Sequence, residues 1–155
     1  MEFLVSRPLA HLHRIAGMAA GLLILTFLTV SALSELTGDP DIVRLAKTGI
    51  AWGLVALVPA LMVTGASGMG LGKGWKGPAI AAKKRRMAII AANGMLVLIP
   101  CALALAWLAH RGETGTAFAI VQTVEFLAGG TNLVLIGLNA RDGIAMAGRR
   151  TARIA

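Results

Sequence analysis

The run IAGMAAGLLILTFLTVSALS, residues 15–34, carries no charged side chain. A helix of roughly 20 residues rises about 30 Å, the thickness of a bilayer's hydrocarbon core. Three further windows repeat the pattern: Thr48–Gly72, Met87–Ala109 and Thr114–Ala140, of which only the last holds a charge, Glu125. Helical spans are therefore expected over about 15–34, 44–71, 87–109 and 116–140. The connections between them are short, which favours antiparallel neighbours in a single domain covering residues 1–155. The expected fold class is all-α, a polytopic transmembrane four-helix up-and-down bundle.

Composition supports this reading. A chain with 57% hydrophobic and 14% charged residues and a mean hydropathy of +0.77 is too apolar for an ordinary soluble domain. Its net charge of +8 raises the question of nucleic acid, and the distribution of the charge answers it. Two Lys or Arg residues precede the first span, six lie in the stretch 73–86 and four follow from Arg141 onward, against only Arg44, Lys47 and Arg111 on the other side. This asymmetry is the positive-inside pattern, so both termini and the middle connection are expected in the cytoplasm. The basic residues then face anionic lipid headgroups rather than nucleic acid. The first span exceeds the usual apolar core of a signal peptide, about 7–15 residues, and reads as an uncleaved helix. The lone Cys101 sits mid-span and can form no intrachain disulfide.

Local signals place the helix ends. Pro8 suits the first turn of helix 1, and GDPD (residues 38–41) offers Asp39 as cap and Pro40 as first residue of helix 2, which puts Arg44 and Lys47 inside that helix. Pro59 and Pro100 fall near the centres of helices 2 and 3, where each removes a backbone bond. Trp52, Trp75 and Trp107 lie close to span boundaries, as interfacial anchors do. The glycine-rich GMGLGKGWKG is expected to be a flexible link, and Gly143 in LNARDG to end helix 4. In the same run Asp142 is available to Arg14 or to the cluster Lys83–Arg86.

Two groups of residues invite a functional reading. The first is HLHRIAGMAAG, residues 11–21. On a helix His11 and His13 stand about 200° apart and cannot grip one metal together, and His110 lies at the far end of helix 3, so no metal centre is expected. A b-type haem asks less: an axial ligand, a slot and cations for its propionates. His13 would be the ligand, Gly17 and Gly21 follow along its face, and Arg7 and Arg14 flank it. The stretch resembles the helix starts of membrane b-type cytochromes and reductase-associated proteins, a likeness that implies haem b with His13 or His11 as ligand. Those families use histidines from two helices. Here Met62, Met69, Met87 or Met95, or a second copy of the chain, would have to replace the missing one. The competing reading makes the histidines an interfacial collar and Gly17-x-x-x-Gly21 a helix-packing face.

The second group is polar and intramembrane. Glu125 lies some ten residues into helix 4, and a charge at that depth either stays neutral or pairs with a cation. Lys47 is the nearest expected partner and His110 the next. A Glu125–Lys47 pair would act as a structural lock, or alternatively as part of a proton relay or anion site. Asn93, Gln122, Asn132 and Asn139 add polar points of the kind that join helices.

No nucleophile elbow, phosphate loop, HExxH or CxxC is present, and there is no tyrosine. In layout the whole chain resembles small four-helix inner-membrane proteins of proteobacteria, which implies the bacterial inner membrane as its location. Three functions follow as expectations. The first is a non-catalytic subunit or assembly partner of a membrane complex, with no enzyme activity of its own expected; the second is a haem b electron carrier built on His13; the third is a small-solute or proton transporter built on Glu125. A homodimer or larger assembly is expected from the small-residue face.

Overall fold

The computed structural model describes the backbone of residues 2–72 and 77–151 and the side chains of 8–72, 77–78 and 80–145. Trp75, the middle of the glycine-rich link and the Arg7 side chain lie outside the described residues. The elements are α1 (Glu2–Thr37), α2 (Pro40–Leu71), α3 (Pro78–Asn93), a π-helical turn (Gly94–Leu98), α4 (Ile99–His110) and α5 (Thr116–Thr151). α3, the π turn and α4 follow one another without a break, so the chain forms four long rods. Each contains a stretch long and apolar enough to cross a membrane: Pro8–Thr37, Pro40–Leu71, Ile80–His110 and Thr116–Ala145.

Caps and turns explain where two of the rods begin. Asp39 accepts a hydrogen bond from the Asp41 N–H at 2.8 Å, and Pro40 takes the first position of α2, where no N–H is missed. Gly38 and Gly112 adopt positive φ of 66° and 70° at the two tight connections, a conformation that favours glycine. Two boundaries differ from the expectation. α1 starts at Glu2, ahead of Pro8. Proline's fixed φ is helical, and near a helix end the carbonyl it leaves unpaired is open to solvent or headgroups. α5 likewise runs through Gly143 to Thr151. Gly143 has no positive φ, and the Lys83 Nζ stands 3.1 Å from where its Cβ would be, so this glycine makes room for a neighbour rather than ending the helix.

The two prolines behave differently. Pro59 is exposed within an unbroken α2. Before Pro100 the ladder loosens: the Ile99 N–H reaches back to the Gly94 carbonyl, five residues away, which widens the helix where the proline ring must fit.

α1 packs along α2, the second rod packs on α4, the third rod on α5, and α5 returns to α1. The α1–α2 contacts run in reverse order, His13 beside Thr64 and Ser31 beside Lys47. One apolar cluster joins Ala20, Ile24 and Leu57 to Phe27, Leu28 and Ile136, and a second joins Val43, Leu105, Leu108 and Phe118. Close approach depends on glycine at two places. A Cβ on Gly129 would lie 2.8 Å from Leu28 Cδ2, and one on Gly53 would overlap the Phe27 ring. The outer surface carries large apolar side chains, among them Leu22, Leu45, Leu96 and Leu127, each at least 64% exposed.

Gly53→Val is expected to lower stability in detergent by about 1–3 kcal/mol, because Phe27 must leave its place. Gly49→Val, where a Cβ meets nothing within 4 Å, is expected to change it little. Thermal unfolding of the two purified variants checks the difference.

Candidate functional site: a buried polar seam along α5

Three buried polar residues of α5, Glu125, Asn132 and Asn139, recur every seven positions and so lie near one helix face. Each is about 10 Å from the next at 1.5 Å per residue. Each engages a different set of partners.

At the first level Lys47 is the centre. Only 1% of it is exposed. Its ammonium lies 3.5 Å from the Glu125 carboxylate and 3.6 Å from that of Glu35. It donates hydrogen bonds to Ser31 Oγ and Gln122 Oε1, and it stands 5.6 Å from the centre of the Phe118 ring. Gln122 Nε2 in turn donates to Glu125 at 3.2 Å, and the Ser31 hydroxyl is 3.4 Å from the same oxygen. Glu125 therefore has a cation and two neutral donors, whereas Glu35 has the cation alone: its buried Oε1 has no hydrogen-bond partner among the described residues. This level ties α1, α2 and α5 together. His110, the other expected partner of Glu125, is exposed, and its Nδ1 bonds to the Ala106 carbonyl of its own helix at 2.9 Å.

At the second level Asn93 and Asn132 clasp each other. Asn93 Nδ2 donates to Asn132 Oδ1 and to the Ala128 carbonyl, both at 2.8 Å, and Asn132 Nδ2 points back to the Ile90 carbonyl at 3.4 Å. Asn132 is fully buried. Its amide would be an expensive orphan without this partner. At the third level Arg86 donates to Asp142 at 2.6 Å and to Asn139 at 3.4 Å. Asp142 is thus held by the Lys83–Arg86 cluster, one of the two partners expected for it.

The HLHR stretch lies at this third end. His11 and Arg14 are exposed and His13 is half-buried, so the two histidines do face apart. His13 Nδ1 lies 3.0 Å from the Thr64 carbonyl and 3.1 Å from Ser67 Oγ. A carbonyl can only accept, so Nδ1 carries the proton. Ser67 gives its own proton to the Val63 carbonyl at 2.5 Å. The glycine face beyond His13 is occupied: a Cβ on Gly17 would meet Thr64 Cγ2 at 3.5 Å, and one on Gly21 would meet Ile136 Cγ2 at 3.8 Å. Of the candidate methionines, Met62, Met69 and Met95 are exposed. Met87 alone shares a neighbour with His13: a Cβ on Gly68 would lie 3.0 Å from His13 Cε1 and 3.7 Å from Met87 Sδ. Among the described residues no three His, Cys, Asp or Glu side chains converge on a common point.

The sequence reading brought together Glu125 with Lys47 and singled out Asn93 and Asn132, but it did not assign Ser31, Glu35 or Gln122 to the Lys47 level. Gln122 is three residues from Glu125 on the same helix face, a signal that was present. Ser31 and Glu35 lie four apart at the end of α1, but nothing in the sequence says which helix that face meets.

Compared with known proteins, the chain matches no family model, no curated protein and no solved structure.

Lys47→Met is expected to destabilise the protein by about 3–5 kcal/mol, since it strips the cation from two carboxylates. Glu125→Gln should be milder, because Glu35 stays within reach of the ammonium. Denaturant unfolding in detergent should rank the two in that order.

Proposed function

We propose that the chain is an integral membrane protein of the bacterial inner membrane, with four spans in an up-and-down bundle and both termini in the cytoplasm, and that it serves as a non-catalytic subunit or assembly partner of a membrane complex. The supporting observation is that the polar groups inside the bundle are engaged with one another. Lys47, Glu125, Asn132, Asn93 and Arg86 all have partners within the chain. Their arrangement joins helices at three levels that are too far apart to pass a proton directly between them. Such a seam suits a scaffold better than a conduit. The apolar outer face fits lipid and neighbouring helices, and the charge asymmetry between its two ends supports the orientation.

The filled glycine face of α1 favours packing over haem for HLHRIAGMAAG. Protein purified from haem-replete cells is expected to show no Soret band, and a band that weakens in His13→Ala would reverse that reading.

In native gels of gently solubilised membranes, the chain is expected to migrate within an assembly larger than its own monomer or dimer; migration only as a monomer or dimer counts against the subunit role. With Cys101 replaced by Ser, a cysteine at Glu113 should react with an impermeant thiol reagent added outside intact cells, and one at Lys84 should not. The reverse labelling pattern overturns the orientation.

A further inference from the structure

The Lys47 ammonium is surrounded in the way a protein surrounds a free monovalent cation. Ser31 Oγ and Gln122 Oε1 accept its hydrogen bonds, and the carboxylates of Glu125 and Glu35 lie 3.5 and 3.6 Å away, so α1 and α5 each turn two oxygens toward it. The Phe118 ring covers a further side, its centre 5.6 Å from Nζ. The neutral groups are oriented to suit a positive charge: Gln122 Nε2 donates to Glu125, and the Ser31 hydroxyl stands 3.4 Å from the same oxygen. Each contact of the cation is made at Nζ.

The site is closed almost all round. Ser31, Lys47, Phe118, Gln122 and Glu125 are each no more than 6% exposed, and only the Glu35 side chain reaches the surface, at 32%. Neither donors nor charges match the oxygens one for one. A lysine ammonium has three N–H groups, of which Ser31 and Gln122 take two, and Glu35 Oε1 is left without a hydrogen bond among the described residues. Two carboxylates also face one ammonium. Taking that ammonium away leaves two acids at a buried position with no cation near them, the condition that makes a site hold an ion from solution.

We infer that Ser31, Glu35, Phe118, Gln122 and Glu125 form a binding site for a small monovalent cation, ammonium or a primary alkylammonium, which the chain fills with its own Lys47. The lysine acts there as a tethered counter-ion. The intact protein is therefore closed to external cations at this level, and a chain without the Lys47 side chain takes up a free one in its place. This goes further than a structural lock. A lock made by packing of the lysine's methylene stem is lost for good on truncation, whereas a cation site can be refilled.

The test unfolds purified Lys47→Ala and wild-type protein with denaturant, in detergent, with ammonium, methylammonium or tetramethylammonium chloride at equal ionic strength. Tetramethylammonium carries the charge but has no N–H to give Ser31 and Gln122. Ammonium and methylammonium should raise the folded-to-unfolded ratio of Lys47→Ala with saturation, by about elevenfold at ten times the dissociation constant. Tetramethylammonium should not, and the wild type, whose site is filled, should respond alike to all three salts. Adding Glu35→Gln and Glu125→Gln to Lys47→Ala removes both carboxylates and should abolish the response. If Lys47→Ala does not fold without added cation, the readout becomes the yield of folded chain from purification in ammonium against tetramethylammonium chloride. The inference is overturned if Lys47→Ala does not distinguish these two salts in stability or, where it needs a cation to fold, in yield, no folded chain in any salt included. An equal response from the wild type overturns it too, as does a response that survives loss of both carboxylates.

Discussion

A buried amide or charge that finds no partner costs several times what a partnered one contributes, and in a bundle wrapped by apolar side chains there is little water to substitute. That constraint governs α5. Its inward line of Glu125, Asn132 and Asn139 requires a matching group at each level. Lys47, Asn93 and Arg86 provide them. Sliding α5 by one turn past α3 would separate Asn93 from Asn132 and Arg86 from Asp142 together. The apolar contacts around the seam are largely Leu, Ile and Ala, and apart from the close approach of Leu28 to Gly129 they oppose such a slip less. The polar groups therefore specify one packing among many that hydrophobic matching alone would permit.

Close packing supplies the second requirement. Phe27 and Leu28 of α1 press onto Gly53 of α2 and Gly129 of α5, so neighbouring residues on one helix fit the glycines of two others. The π turn ahead of Pro100 follows the same logic within a helix. It begins at Gly94, directly after Asn93, so the residue that grips α5 stands at the edge of the widened turn. The proline accordingly shapes the helix beside a clasp rather than opening a channel.

The two ends of the bundle divide the charges unequally. At the Lys47 end the acids outnumber the buried cation, and Glu35 completes the set from α1. At the other end, among the residues with described side chains, cations outnumber the acid, and Gly143 of α5 leaves room for the Lys83 side chain. Between them the middle is closed by Ile24, Leu57 and Ile136 on one side and by the asparagine clasp on the other. Polar chemistry is thus concentrated at the ends and used for joining in the centre.

Much of this was legible in the sequence. Unbroken apolar runs establish four long helices because backbone groups shielded from water must bond internally, and GDPD announces the start of α2 because its cap is a local interaction among four residues. The Lys47–Glu125 pair was also within reach, since a charge inside an apolar span has few possible partners. What the tertiary structure alone decided was the identity of facing surfaces. Ser31 and Glu35 joining Lys47, Gly143 seating Lys83 instead of ending α5, and Thr64 and Ile136 filling the glycine face of α1 all depend on the rotation of one helix against another. Rotation is set by contacts between residues on different helices, from 12 positions apart for Glu35 and Lys47 to 115 for Gly21 and Ile136, and a helix's own periodicity identifies its polar and apolar faces without revealing which neighbour each face will meet.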